Sequence, residues 1–262
     1  MKKAAHPSFH KVFPFLLLSV GLVLIGRSDA VQDQIRKAKI FEDENPMISD
    51  GDFHCSIGIL DGELPELKII GSPRQEEKIL LGDDDIFFIN EGRAAGLEVG
   101  QVFSVLEVGS PVGGFGPLYR KKGKVRVERL EESLGVCRVD KACGQIEIGN
   151  YLVPFEIKEN VIGKDTGFAT FQEENAGAAG RIIYLEGDFH IIGSGHWAII
   201  DMGEDKGIKI GQQMNIYRRV KKNLPRETIG NLLVIDTQQR TSTVKILSCR
   251  DTVEIGYQVQ TK

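Results

Sequence analysis

One pattern of glycines and short alternating segments occurs twice in this chain, and a chain that repeats itself is built from copies of one unit. Residues 80–107 meet residues 191–218 at a constant shift of 111. Gly82, Ile89, Gly92, Gly96, Gly100 and Gln101 are identical to Gly193, Ile200, Gly203, Gly207, Gly211 and Gln212. The match resumes at a shift of 107, where residues 123–139 meet 230–246 and Ile146-Glu147-Ile148-Gly149 meets Val253-Glu254-Ile255-Gly256. The difference of four residues falls in the loop after each central strand, where insertions are tolerated best.

Each copy reads as β-structure. Met214-Asn215-Ile216-Tyr217-Arg218 and Lys124-Val125-Arg126-Val127-Glu128 alternate apolar and polar, which places one face in a core and one in water. Thr241-Ser242-Thr243-Val244-Lys245-Ile246 is rich in β-branched residues, which suit a pleated surface. Gly92, Gly96, Gly100 and Gly149, with Gly203, Gly207, Gly211 and Gly256, stand where the chain must turn between strands. The expected fold is all-β: two tandem small barrels, SH3-like or Greek-key in type, of five to six short strands each. Closure hides the edges that would otherwise template aggregation. The first barrel is expected over 61–156 and the second over 181–262, joined by a linker at 157–180.

The first thirty residues read as an address. Lys2, Lys3 and Lys11 precede an apolar run through residue 26, followed by Ser28-Asp29-Ala30 with small residues at −3 and −1 of a cut. The run is shorter than the roughly 20 residues a bilayer core requires, so a cleaved signal peptide at 1–30 is expected rather than an anchor. A lead-in follows at 31–60, with residues 31–41 helical and 42–51 a loop. The mature chain is expected to be periplasmic or secreted, without a membrane span.

Composition narrows the partners. At 41% apolar and net −4, the chain is too hydrophobic and too weakly charged for disorder. It has no basic run that would hold nucleic acid through phosphates. The leader carries a net +3, which leaves the remainder at −7. Contact with anionic wall polymers must then be local and hydrogen-bonded.

All four cysteines, Cys55, Cys137, Cys143 and Cys249, lie beyond the leader. An even number in an exported chain allows two disulfides in three pairings. Cys137 and Cys143 are close enough in sequence to clasp neighbouring strands; the alternative is free thiols buried in β-structure.

The motif G-x-x-x-G-[LI]-x-[VI]-G-Q-x-[FM]-x-[VI], then I-G-x-L-x-V and T-S-T-V-K-I, closing on E-I-G, resembles a β-module of exported bacterial envelope proteins. That module often lies downstream of a LysM peptidoglycan-binding domain, and it is similar to the C-terminal domain of flagellar assembly protein T. The resemblance spans both copies. It implies a non-catalytic binding or assembly role whose partner is an envelope protein or peptidoglycan, without a cofactor. Those modules usually carry Asp after the turn glycine; here Gln101, Gln212, Asn150 and Tyr257 occupy the position, which suggests that it serves the turn. A second likeness is narrower. Residues 91–100 are similar to the G-S-x-A-x-x-A-G-L-x-x-G-D stretch of PDZ domains, which implies peptide binding by strand addition. The second copy, with Glu204-Asp205-Lys206, lacks the Ala-Ala pair.

Gly51-Asp52-Phe53-His54 recurs as Gly187-Asp188-Phe189-His190, with His196 beyond it. Asp-x-His in a strand puts both side chains on one face, the arrangement that a metal-dependent hydrolase would use. The tetrapeptides stand outside the repeat register, and the expected reading is structural, with no catalytic or metal residues. Asp83-Asp84-Asp85 lacks the alternating spacing of calcium loops and reads as a solvated turn. Residues 109–116 read as a mobile hairpin loop, and Trp197 as core. Lys121 and Lys122 in the first copy, and Arg218, Arg219, Lys221 and Lys222 in the second, are expected in corresponding loops and form the first candidate binding surface.

Overall fold

The structure, a computed structural model, describes residues 47–73, 76, 78–158, 161–171, 177–219, 221 and 225–262. The expected signal peptide, the helix at 31–41 and Lys222 lie outside the described residues. No helix among them is long and apolar enough to cross a membrane.

The described chain is nearly all β. A short helix α1 (Asp50–His54) precedes β1 (Ile57–Ile59), β2 (Ile69–Gly71), β3 (Ile86–Ile89), β4 (Val102–Pro111), β5 (Pro117–Leu130), β6 (Gly135–Ala142) and β7 (Tyr151–Pro154). These strands form a seven-stranded sheet in the order β2-β3-β6-β5-β4-β7, with β1 paired to β5. The end strands meet at the Lys68–Tyr151 bridge, where Leu152 N–H donates to Leu67 O at 2.9 Å.

The second half repeats this plan. It contains β8 (Ala179–Leu185), β9 (Ile191–Ile192), β10 (Trp197–Ile200), β11 (Gln213–Arg218), β12 (Glu227–Thr237), β13 (Ser242–Cys249), β14 (Val253–Glu254) and β15 (Gln258–Thr261). Strands β10-β13-β12-β11-β15-β8 close into a six-stranded barrel. The repeat extends to hydrogen-bond register. Ile86 opposes Arg138 as Trp197 opposes Lys245, and Phe103 opposes Pro154 as Met214 opposes Thr261.

The turn glycines explain why the pattern is conserved between the copies. Gly96 and Gly207 end matching 3-10 turns at φ +80° and +72°, a region open to glycine without a Cβ penalty. Gly92 and Gly203 act differently: a Cβ would come within 2.3 Å of Glu131 O and of Gln238 O respectively, so the strand exit packs against the facing hairpin backbone. The substituted position after the turn glycine does serve the turn. Gln101 Oε1 accepts from Glu98 N–H at 3.2 Å, Asn150 Oδ1 from Glu147 N–H at 2.9 Å and Gln212 Oε1 from Lys209 N–H at 3.4 Å.

Each half has its own core: Phe87, Val105, Val125, Val139 and Ile146 in the first, Leu185, Met202, Ile216, Leu232 and Ile246 in the second. Two further clusters join them through the lead-in. Ile57, Ile59 and Leu118 pack on Tyr184 and Ile199, while Ile48 and Phe53 pack on Leu233 and Ile235. Burying such side chains is worth roughly 1.5–3 kcal/mol each, against about 0–1 for an exposed ion pair, so apolar contact dominates the joint.

The cysteine expectation is corrected. Cys143 is bonded to Cys55, 88 residues away, and Cys137 is a free thiol buried in the first core. Its side chain points inward on β6, away from the loop that carries Cys143. The hairpin turn at 112–116 is docked, with Arg240 donating to Gly114 O and Phe115 O at 3.0 Å.

Candidate functional site

The expected basic residues do not occupy corresponding loops. Lys121 and Lys122 lie inside strand β5 rather than in a loop, because the 107-residue match continues upstream and aligns Lys121 with Thr228, an interior residue of β12. Lys122 pairs with Glu107 at 2.7 Å on the neighbouring strand. Arg218 ends β11 between Glu227 and Asp251. Arg219 and Lys221 are exposed beyond it, and Arg219 lines a depression that includes Arg181, Lys206 and Arg226. On the sheet face Lys122 finds a carboxylate across the strand pair, as opposite charges on neighbouring strands do.

The Asp-Phe-His segments also find separate tasks. Asp52 and His54 lie on α1, so they do not share a strand face. Asp52 is buried, accepts from Ser49 in a capping box, and receives Trp197 Nε1 at 2.9 Å and Lys245 Nζ at 2.7 Å. Burial alone would raise its pKa, but hydrogen bonds from Lys245, Ser49 and Trp197 outweigh that and hold the carboxyl below its ordinary value. The His54 ring stacks on Phe155 at 4.9 Å, and burial, then Lys124, lower its pKa. Asp188 takes Arg120 Nη2 and Tyr184 O–H, both at 2.9 Å. His196 faces Glu186 at 3.3 Å, and His190 is exposed. In the Asp83–Asp85 run, Asp83 accepts from Ala142 N–H at 2.6 Å and Asp85 from Gly82 N–H at 2.7 Å, as turn-holding carboxylates do.

A further group of polar side chains converges between the halves. A cleft of about 270 Å³ is lined by Phe53, Leu60, Ser104, Leu106, Tyr119, Lys121, Val153, Pro154, Phe155, Glu156, Lys158 and Asp236. Strand β5 supplies Tyr119 and Lys121, the segment after β7 supplies Phe155 to Lys158, and β12 supplies Asp236. Lys121 Nζ donates to Phe53 O at 2.9 Å and to Asp236 Oδ2 at 3.5 Å, and Lys158 Nζ donates to Asp236 Oδ1. One carboxylate therefore carries two ammonium groups, each with less than a fifth of its side chain exposed. Burial lowers the Lys121 pKa, and Asp236 opposes that shift.

Tyr119 owes its place to a missing side chain. It sits opposite Gly58 on β1, where a Cβ would fall 2.3 Å from its hydroxyl. Burial and then the charges of Asp236, Glu156 and Asp61 push the phenol pKa up, so it keeps its proton. Of the charged cleft residues only Lys121 was singled out from sequence. Extending the repeat match two residues upstream of Gly123 places it in a strand, but nothing in the spacing indicates that Asp236 or Lys158 meets it. No protein-family model matches the chain, and no curated protein matches it.

Proposed function

We propose that this chain is an exported, non-catalytic binding or assembly module of the bacterial cell envelope, built as two tandem barrels of one design. The observation that carries the reading is the Cys55–Cys143 disulfide, because such bonds persist in oxidising compartments and are rare in the cytosol. The leader-like first thirty residues agree with it. The shared register of the halves supports reading the seven-stranded sheet, whose ends meet at Lys68–Tyr151, as the counterpart of the closed barrel. Asp52, His54 and Asp188 of the Asp-Phe-His segments are engaged in capping, ring contact and ion pairing, which supports binding over hydrolysis.

Partners are envelope proteins or peptidoglycan. A rigid tandem unit suits them, because the apolar joint fixes the faces that the two halves present. The test is fractionation of the native host followed by pull-down from envelope extract and co-sedimentation with isolated cell wall. Recovery of a processed, oxidised chain that retains envelope protein or wall sustains the reading. A reduced, unprocessed chain in the cytosol overturns it.

A further inference from the structure

The cleft between the halves contains more hydrogen-bond donors than the described residues supply with acceptors. Lys121 Nζ uses two of its three protons, on Phe53 O and Asp236. Among the described residues Lys158 Nζ hydrogen-bonds Asp236 alone, with Glu156 at 3.9 Å. Tyr119 accepts from Gln238 Nε2 at 3.4 Å, while its own proton meets no acceptor among the described residues. Desolvated donors left in this state favour a guest that brings acceptors. Two ammonium groups around one buried carboxylate favour an anion, and a carboxylate offers about four lone-pair sites.

The rest of the cleft limits which anion fits. Phe53, Leu106 and Phe155 form an apolar wall. The volume lies at the lower edge of the roughly 300–1,000 Å³ of small-molecule sites, so a terminal group fits and a long acyl chain does not. Glu156, its side chain 79% exposed at the rim, disfavours a dianion such as phosphate. Pro154, also exposed, leaves the mouth open for a following chain.

We propose that this cleft binds the free α-carboxylate of a peptide that ends in an apolar residue. Lys121, Lys158 and the Tyr119 hydroxyl take the carboxylate, and the last side chain lies against Phe53, Leu106 and Phe155. The proposal rests on reading the chain as a binding module, and it names the chemistry recognised. Such carboxylates come from protein C-termini or from the D-alanine ends of wall stem peptides.

The test is fluorescence anisotropy with the intact, oxidised protein and N-terminally labelled peptides. The probes are Ala-Ala-Leu as free acid, the same peptide as its C-terminal amide, and a peptide ending in D-Ala-D-Ala. A free acid should bind saturably, and its amide about tenfold or more weaker, the scale of one charge-assisted hydrogen bond. Lys158→Gln and Tyr119→Phe should each weaken the acid about five- to tenfold and change the amide less, in variants whose cooperative melting shows that they fold. Preference for the leucine or the D-alanine acid identifies the source, and either sustains the proposal. Equal affinity for acid and amide, or no binding of either acid at millimolar peptide, overturns it. That failure leaves the envelope reading intact, since sedimentation and pull-down report on it separately.

Discussion

Trp197 Nε1 donates to Asp52 Oδ1 at 2.9 Å, which ties the only tryptophan of the chain, at the start of a barrel strand, to a helical carboxylate 145 residues earlier. The same carboxylate completes the capping box of α1 and receives Lys245, so it adds polar ties between the lead-in segment and the second half to their apolar contacts.

Asp52→Ala leaves the Trp197 N–H and the Lys245 ammonium without their acceptor and removes one of the two hydrogen bonds of the α1 capping box. The expected loss is about 2–4 kcal/mol, less than for a fully buried pair because Lys245 is partly exposed. Tryptophan fluorescence reports it directly, through a red-shifted emission and a lower midpoint in urea.

Acid should act through the same group. The Asp52 carboxyl titrates below its ordinary value of 3.8 when folded, so its stabilising contribution is present above that pH and is lost as pH falls through the folded pKa. Urea midpoints measured from pH 6 to pH 2 should drop more steeply below about pH 4 in the parent than in Asp52→Asn, whose amide does not titrate. Parallel curves would show that other carboxylates govern the acid limb.

Thiol chemistry separates the four cysteines. In the native oxidised protein, iodoacetamide should modify Cys249 and leave Cys137, buried with its pKa pushed up to about 12 by burial, unmodified. Denaturation without reductant should expose two thiols in all, and reduction should expose four, as read by mass spectrometry. Replacing Cys55 and Cys143 by serine should cost about 2–5 kcal/mol, because the bond closes a long loop in the unfolded chain.

Matched glycines should fail for different reasons. Gly92→Ala and Gly203→Ala drive a methyl into the backbone of the facing hairpin and should each cost about 2–3 kcal/mol, some 4–12 °C in Tm. Gly149→Ala, at φ +94° with open space around it, should cost only about 1 kcal/mol of backbone strain. Calorimetry of the three variants checks the order.

Gly58→Ala tests the floor of the cleft. The added methyl must displace the Tyr119 hydroxyl, which breaks its contact with Gln238 and should destabilise by about 1–3 kcal/mol. Unchanged stability together with an unchanged tyrosine titration would show that the phenol adapts without cost.

What was legible in the sequence was local. The glycine spacing and the strand alternation depend on backbone dihedrals and on the two-residue period of a strand, both set within a few residues. For that reason the repeat at 111 and 107 reappears as matching strands, 3-10 turns and registers. The role of Gln101, Asn150 and Gln212 follows from a carboxamide reaching back three residues, which is also a local event. Contacts between distant segments carry no such signal. The Cys55–Cys143 bond, the use of Asp52 by Trp197 and Lys245, and the meeting of Lys121, Lys158 and Asp236 came from the packing of an apolar lead-in between the halves. Hydrophobic burial is non-directional, so sequence spacing identifies which side chains will be buried but does not say against which partner. Tertiary structure alone decided that, and with it the location of the cleft where Lys121, Lys158 and Asp236 converge.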